Sequence, residues 1–232
     1  MQYKIKPILG GEFGMVRDDI RYQGGDPALS SMVPSVLFLL ISEKGQILVD
    51  TSFGAIEDVT EMGLIARRNH AFLNLLENAG VKPEKVQAVI LTHSHWDHAA
   101  NIGLFPEAAI YCQQKEWEYA FSLEAGYSQK LLEGFRQNQN RFVLVDGNVE
   151  PIPGIRLLLS GGHTPGSQMV VVQQESGEAV ICGDEAMTFR NLKEQIPIGL
   201  CQDVEKNKAA LCRAIGFHTY LPSHDEQLFI TE

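Results

Sequence analysis

The stretch Thr92-His93-Ser94-His95-Trp96-Asp97-His98 decides the fold of this chain. It directly follows Val86–Leu91, a short, continuous and β-branched apolar run that is typical of a buried strand. Residues two apart in an extended chain point the same way, so His93 and His95 are expected to leave the strand on one face. Asp97 is expected at the N-cap of a helix that His98 opens. Imidazole nitrogens and a carboxylate that converge in this way suit a first-row divalent metal.

Three further apolar segments lead to residues that can bind metals. Ile155 to Ser160 precedes a glycine-rich turn that presents His163, and Ala179 to Cys182 leads to Asp184. The run that begins at His218 leads to His224. Open α/β sheets place their sites at the carboxyl ends of strands, so we expect these groups to meet the first cluster. An α/β fold with a metal site at one edge is therefore predicted.

Length, composition and charge limit the classes of function. The chain has 232 residues, enough for one sizeable core, and we expect one domain over residues 1–232. A hydrophobic content of 44% and a charged content of 21% are typical of soluble globular proteins. The net charge of −10 argues against a nucleic-acid partner, because phosphate binding needs a basic surface.

The cysteines and apolar runs predict the compartment. There are four cysteines and no Cys-x-x-Cys pair, as expected for reduced thiols in a cytosolic protein. The N-terminal residues lack an apolar signal core, and the longest apolar stretch, Val36 to Ile41, is too short to span a membrane. We therefore expect a cytoplasmic protein that acts on a small molecule and has no membrane partner.

The first third of the chain contains a segment of less obvious structure. Met1 to Leu9 is predicted to form a strand, and Gly10 to Ser31 an irregular segment rich in glycine and aspartate. This segment is either an active-site flap, with Phe13 and Met15 touching substrate, or a surface excursion. Asp50, at the end of a predicted hairpin, either binds metal or hydrogen-bonds a metal-binding histidine from outside.

Helices are predicted from apolar periodicity and end signals. A long helix is expected over Glu61 to Ala79, where His70 is structural or exposed. The aromatic residues of the next helix either pack in the core or line a substrate pocket. The remaining predicted helices are Gln113–Phe121, Ser128–Asn138 and Val204–Ile215. The aromatic residues in question, all in the first of these, are Trp117, Tyr119 and Phe121.

The ordered set of motifs resembles the metallo-β-lactamase-fold hydrolases, and it does so along nearly the whole chain. Within that superfamily the chain looks most like the branch that opens N-acyl homoserine lactones, through residues 103–111 and 162–168. The resemblance implies an αββα sandwich, two mixed β-sheets packed together with helices outside. The motifs that carry it are His93-x-His95-x-Asp97-His98, His163 in Gly-His-Thr-Pro-Gly, Asp184 in Gly-Asp and His224 in Pro-Ser-His-Asp.

The resemblance also implies the site and its chemistry. A hydroxide shared by two divalent metal ions would attack the carbonyl of a small ester or lactone, and Asp97 would orient it and pass a proton to the leaving group. Zinc is the expected metal, and iron, manganese or cobalt also suit the ligands. A homodimer is expected from the same likeness. The implied assignments are His93, His95 and His163 on one metal, Asp97, His98 and His224 on the other, Asp184 bridging, and Phe13, Met15, Trp96 and Met187 as substrate contacts.

One departure and three alternatives stay open at this point. The homoserine lactonases have a tyrosine three residues after the bridging aspartate, where this chain has Met187. A glyoxalase II-like thioesterase is an alternative, although the chain ends at Glu232, soon after His224, without the added basic region of those enzymes. A mononuclear iron sulfur dioxygenase and a non-catalytic metal-binding module are the others.

Overall fold

The apolar runs become strands of two β-sheets in the computed structural model, which describes residues 1–230. The first sheet contains β1 (Lys4–Arg17), β2 (Ser30–Ser42), β3 (Gly45–Val49), β4 (Ile65–Arg67), β5 (Val86–Ile90), β6 (Ala109–Gln113) and β7 (Phe142–Val145). In space their order is β4-β1-β2-β3-β5-β6-β7. The pairs β1–β2, β1–β4 and β2–β3 are antiparallel, whereas β3, β5, β6 and β7 run parallel.

The second sheet is formed by the next part of the chain. It contains β8 (Val149–Ile152), β9 (Ile155–Leu159), β10 (Gln168–Gln174), β11 (Gly177–Ile181) and β12 (Thr219–Leu221), in the spatial order β12-β11-β10-β9-β8. Neighbours are antiparallel except β11 and β12, which run parallel. Both sheets are therefore mixed.

Short α-helices connect and cover the strands. They are α1 (Asp18–Arg21), α2 (Ile56–Glu61), α3 (Phe72–Asn78), α4 (Trp96–Ala99), α5 (Gln114–Ala120), α6 (Gln129–Gln137), α7 (Phe189–Glu194) and α8 (Val204–Ala214). None of the helices within residues 1–230 is long and apolar enough to cross a lipid bilayer.

Strand β2 shows why the sheets and helices form layers. Its alternate side chains Phe38 and Leu40 belong to the apolar core between the two sheets. Leu37 and Leu39 point to the other side, where α3, α5 and α6 cover the first sheet. Strand β10 alternates in the same way between the inter-sheet core and the cover of α7 and α8. Because each buried side chain of this size contributes about 1.5–3 kcal/mol, both faces of each sheet need a partner layer. The predicted αββα sandwich is confirmed.

The long helix predicted over Glu61 to Ala79 is wrong. The structure divides this segment into the end of α2, strand β4 and helix α3. Gly63 has φ +80°, a left-handed conformation that ends the first helix. Residues of β4 then pair with the edge of β1, for example Ala66 with Phe13. Sheet pairing thus overrides the helical periodicity of the sequence. His70 lies in the exposed turn before α3, as expected.

The predicted extent of the first strand is also wrong. Strand β1 continues through Gly10 and Gly11 to Arg17, so the first eight residues of the segment expected to be irregular belong to the strand that pairs with β2. The pairing register shifts between Leu9 and Gly11, and Gly11 has φ +143°, which lets the strand bend at a bulge. A side chain at Gly11 would collide with the ring of Phe53. The helices predicted in the later part of the chain are confirmed to within two residues as α5, α6 and α8.

Candidate metal centre

The seven side chains singled out in the sequence lie on loops that follow strands. The cluster His93 to His98 follows β5, His163 lies between β9 and β10, Asp184 lies in a 3₁₀ turn after β11, and His224 follows β12. Parallel pairing of β3, β5 and β6, and of β11 and β12, directs these strand ends to the same edge of the sandwich. All seven side chains come together there, in two adjacent groups.

The first group joins His93, His95, His163 and Asp184, with one atom of each within 4.8 Å of the others. Nδ1 of His95 lies 2.9 Å from Nε2 of His93 and 2.8 Å from Nε2 of His163. Oδ2 of Asp184 lies 3.6 Å from Nε2 of His163 and 4.0 Å from Nε2 of His93. These three nitrogens and one oxygen can surround a single cation.

The second group contains Asp97, His98 and His224, again within 4.8 Å of one another. Oδ2 of Asp97 lies 3.6 Å from Nε2 of His98 and 3.5 Å from Nε2 of His224. Oδ1 of Asp184 lies 3.1 Å from each of the same two nitrogens. The two oxygens of Asp184 therefore face different groups, which is the geometry of a bridging carboxylate.

Helix α4 differs from the prediction in its first residues. The amides of His98 and Ala99 bond to the carbonyl of His95, which is the N-cap, so the N-cap prediction for Asp97 is wrong. Because α4 begins earlier, Asp97 lies in its first turn. There the carboxylate is free to face His98 and His224 instead of capping the helix.

The hydrogen bonds of the imidazole rings show which ring nitrogens donate a proton and which carry a free lone pair. Nδ1 of His98 bonds to Asp50 at 2.8 Å, Nδ1 of His163 to the Leu200 carbonyl at 2.7 Å, and Nδ1 of His224 to the Pro34 carbonyl at 2.7 Å. These oxygens only accept, so each Nδ1 donates and each neutral ring turns its Nε2 lone pair toward the cluster. Converging lone pairs repel unless a proton or a metal cation lies between them. The donor set fits divalent cations.

The charges of the cluster shift its pKa values in both directions. Burial, together with the neighbouring histidines, lowers the pKa of His93 and of His95. Burial would also lower the pKa of His98 and of His224, but the carboxylates of Asp184 and Asp97 together outweigh it, with Asp50 adding to the effect at His98, and raise both pKa values. Burial would raise the pKa of Asp184, yet His224 and His98 lower it. The second group therefore holds positive charge readily.

Asp50 supports the cluster from behind, as one of its two sequence interpretations predicted. Its Oδ1 accepts from the amide of Thr92 at 2.7 Å, and its Oδ2 accepts from the hydroxyl of Thr92 at 2.8 Å and from Nδ1 of His98. Asp50 is buried and has φ 62°. This carboxylate fixes the tautomer and orientation of His98, as expected of a group that supports a metal ligand.

Two buried glutamates also hold the loops, and the sequence reasoning missed both. Glu116 accepts from the amide and hydroxyl of Ser94 through Oε1, and from the hydroxyl of Thr164 and the amide of Gly166 through Oε2. Glu116 thus joins the loop of His93 and His95 to the loop of His163. No spacing in the sequence signals this role, because a glutamate in a short helix is ordinarily exposed.

Glu185 connects the other side of the His163 loop to helix α8 in a similar way. Its Oε1 accepts from the amides of Gly162 and His163, and its Oε2 accepts from the side chain of Asn207 in α8. The one available signal is its position next to Asp184. Both glutamates satisfy backbone N–H groups that the glycine-rich turn leaves unpaired.

A cavity of about 230 Å³ opens onto the cluster. The four predicted substrate contacts all line it, and the ring of Phe13 packs edge-on against Trp96 at 4.9 Å and His224 at 5.5 Å. Trp117 and Phe121 pack against the core under the first sheet instead, which confirms the core interpretation for them. The lining residues are Phe13, Met15, Val16, Ile20, Arg21, Val33, Leu64, His95, Trp96, Asp97, Asp184, Met187, Leu200 and His224.

Comparison with known proteins supports the resemblance. The profile of the Metallo-beta-lactamase superfamily matches residues 32–224. An N-acyl homoserine lactonase of a Bacillus species is 30% identical over 177 residues, which cover 71% of this chain and 69% of that protein. The N-acyl homoserine lactonase AttM of Rhizobium radiobacter is 26% identical over 220 residues, covering 83% of this chain and 79% of that protein.

Solved structures show the same fold. AiiA of B. thuringiensis, in a mutant with N-decanoyl-L-homoserine bound at its active site, has a TM-score of 0.83 at 24% identity, covering 98% of this chain and 95% of that one. AidC, described as a dizinc quorum-quenching lactonase, has a TM-score of 0.73 at 16% identity, covering 97% and 91%. The chain belongs to the metallo-beta-lactamase superfamily, and it is a metal-dependent hydrolase.

Proposed function

We propose that this chain is a two-metal lactonase that hydrolyses the ring ester of N-acyl homoserine lactones. The observation that carries the proposal is that the two carboxylate oxygens of Asp184 face different groups. Its Oδ1 faces His98 and His224, whereas its Oδ2 faces His163. Support for the substrate comes from relatives that are named N-acyl homoserine lactonases. We propose that residues 1–232 form one domain that carries this activity.

The residues fit two divalent cations. His93, His95 and His163 would hold one, Asp97, His98 and His224 the other, and Asp184 both. Zinc is the proposed metal, since imidazole and carboxylate donors suit it and AidC is described as dizinc, although iron, manganese or cobalt suit the same donors. When bound, such a pair of cations lowers the pKa of water toward neutrality and polarises a carbonyl.

Asp97 is the proposed catalytic residue of the chain itself. Burial raises the pKa of its carboxyl group, even though His98 and His224 oppose that shift. The carboxylate of Asp97 lies 3.6 Å from Nε2 of His98 and 3.5 Å from Nε2 of His224, so it can accept a proton from the attacking water and keep it within the buried cluster. Attack at the carbonyl carbon breaks the ring C–O bond, and the released alkoxide takes this proton from Asp97. The product is the open N-acyl homoserine.

The cavity wall supplies positioning. Phe13, Met15, Trp96 and Met187 surround the space in front of the metal cluster with apolar and aromatic side chains. An apolar wall excludes water and accepts the acyl chain of the substrate. The hydroxyl of Thr188, which follows Met187, hydrogen-bonds to Tyr22 and Asn191, so this hydroxyl is not free to bind substrate.

Other properties follow from charge and thiols. The net charge of −10 supports a small-molecule substrate without a nucleic-acid partner. The free cysteines Cys112, Cys182, Cys201 and Cys212 support a reducing, cytoplasmic location. A homodimer is proposed from the family likeness, and light scattering of the purified protein tests it.

Ring opening of an acyl homoserine lactone by zinc-loaded protein tests the function. We expect turnover by the wild type and by His70→Ala, which removes an exposed histidine outside the cluster, and almost none by His95→Ala. Absence of turnover on any lactone would reject the substrate class. The same preparation can be offered a thioester and a persulfide with oxygen uptake measured. Preference for either would favour the thioesterase or the dioxygenase.

A further inference from the structure

Arg21 is one of the residues that line the substrate cavity. It lies in the one-turn helix α1, which follows the long strand β1. The carbonyl of Ile20 accepts from the amides of Gly199 and Leu200 at 2.9 and 3.0 Å, and the carbonyl of Arg21 accepts from Asn191 at 3.0 Å. The segment is therefore fixed to the loops behind the cavity, and Arg21 is held in position by the fold.

The hydrogen-bond donors of Arg21 outnumber its partners. Nη2 donates to Oδ1 of Asp18 at 2.8 Å. Nε is buried without a partner, and no hydrogen bond joins Nη1 to any group in residues 1–230. A guanidinium has five N–H donors, and buried donors without acceptors destabilise the folded state. Nε exposes almost no surface, whereas Nη1 is not among the buried atoms, so Nη1 is the free donor that an acceptor on a ligand in the cavity can reach.

The other residues of the cavity wall limit which chemical group of a ligand Arg21 can bind. Much of the remaining lining is apolar and includes Val16, Ile20, Val33 and Leu64. Among the cavity-lining residues that the structure describes, Arg21 is the only one with a permanent positive charge. In an apolar wall a charged donor binds a carbonyl oxygen more strongly than it does in water.

The proposed substrate offers few acceptors to Arg21. Its ring carbonyl and ring oxygen belong to the reacting centre beside the histidines, and its acyl chain has no polar atom. The amide carbonyl between ring and chain is the strong acceptor that is left. We propose that Arg21 donates a hydrogen bond to this amide carbonyl and is a specificity-determining residue for acylamino lactones. This inference rests on the proposed function.

The test compares two substrates that differ in the amide. One is N-octanoyl homoserine lactone, and the other is a γ-lactone with an alkyl chain of similar length and no amide. Arg21→Met removes the donor. Arg21→Lys keeps the charge beside Asp18 but loses the planar fork. Arg17→Met is the matched control, because Arg17 lies just before α1, is 56% exposed and pairs with Asp19 outside the cavity.

We expect Arg21→Met to raise KM for the acyl homoserine lactone roughly tenfold or more, as for a lost charged hydrogen bond. Its kinetics on the alkyl lactone should match the wild type, and Arg17→Met should match on both. Arg21→Lys should show the same selective loss in smaller measure. If Arg21→Met has a lowered Tm and is poorly folded, the kinetics of Arg21→Lys on the two lactones decide whether Arg21 has this role.

Two results would overturn the inference in different ways. An active wild type whose Arg21 variants lose nothing, or lose equally on both lactones, would reject the role of Arg21 and leave the lactonase function standing. A wild type that opens neither lactone would reject the proposed function, and the role of Arg21 with it.

Discussion

Nε2 of His98 lies 3.3 Å from Nε2 of His224, although Nδ1 of each ring already donates to an oxygen. Two lone pairs that face each other at this distance are stable only with a positive charge between them. The nearby oxygens of Asp184 and Asp97 favour such a charge. This pair of rings is therefore the clearest sign in the structure that the second group is built for a cation.

Removal of metal should destabilise the chain. Cations that bind only the folded state stabilise it by about 4 kcal/mol at a concentration of 1,000 times Kd, because unfolding must release them. For a chain of this size that corresponds to a fall in Tm of roughly 10 °C on chelation. Differential scanning fluorimetry with and without chelator measures the shift. Equal Tm values in both samples would argue against structural coupling between metal and fold.

Asp184→Asn should reduce the number of bound metals from two to one or fewer. The amide is neutral and offers one acceptor oxygen, so it cannot face both groups as the carboxylate does. Elemental analysis of the purified variant gives the stoichiometry. Asp146→Asn, at an exposed position after β7, makes the same chemical change away from the cluster and should keep both metals. Retention of two metals by Asp184→Asn would contradict the bridging geometry.

Glu116→Gln should weaken metal binding while the fold persists. Both oxygens of Glu116 accept from N–H or O–H donors, so either orientation of the glutamine amide places its NH₂ group against donors. Loss of such support costs about 10- to 100-fold in metal affinity. Competition with a chromophoric chelator measures the affinity. Glu118→Gln, on the exposed side of the same helix α5, is the matched control. Equal affinities of the two variants would remove Glu116 from the support of the site.

The metal-free chain should be most stable near pH 6.5, the ordinary pKa of histidine. Below that pH, His93 and His95 bind protons in the unfolded chain but not in the folded chain, because folding lowers their pKa values. The free energy of unfolding therefore decreases as the pH falls. Above it, His98 and His224 still hold protons in the folded state, and this stabilisation is lost as pH rises through their raised pKa values.

Urea titrations of the metal-free chain from about pH 5 to about pH 9 measure this dependence. Loss of unfolding free energy on both sides of the maximum is the expected result. With bound metal in place of the protons, the alkaline loss should disappear. A metal-free chain whose stability rises steadily from neutral to alkaline pH would show that His98 and His224 are not protonated when folded.

The meeting of the candidate ligands could be predicted from the sequence. His93, His163, Asp184 and His224 each follow an apolar run, and strand ends of parallel pairs gather at one edge of a sheet. The two groups found in the structure match the grouping that the resemblance implied. The layered fold followed from the same likeness, and the alternating burial of β2 explains it.

Other features depend on contacts between distant parts of the chain and left no local signal. Glu116 reaches Thr164 across 48 positions, and the edge pairing of β4 with β1 spans a similar separation and converts a helical pattern into a strand. Arg21 enters the cavity wall because α1 is bonded to Gly199 and Asn191. Hydrophobic periodicity describes one face of one segment, so it carries no information on such partners.

Titration of the metal-free chain with zinc, with ring opening of N-octanoyl homoserine lactone followed after each addition, tests the central claim most directly. We expect turnover to increase until about two equivalents of zinc are bound per chain and then to remain constant. Full turnover at one equivalent, or none at any zinc concentration, would contradict a two-metal lactonase.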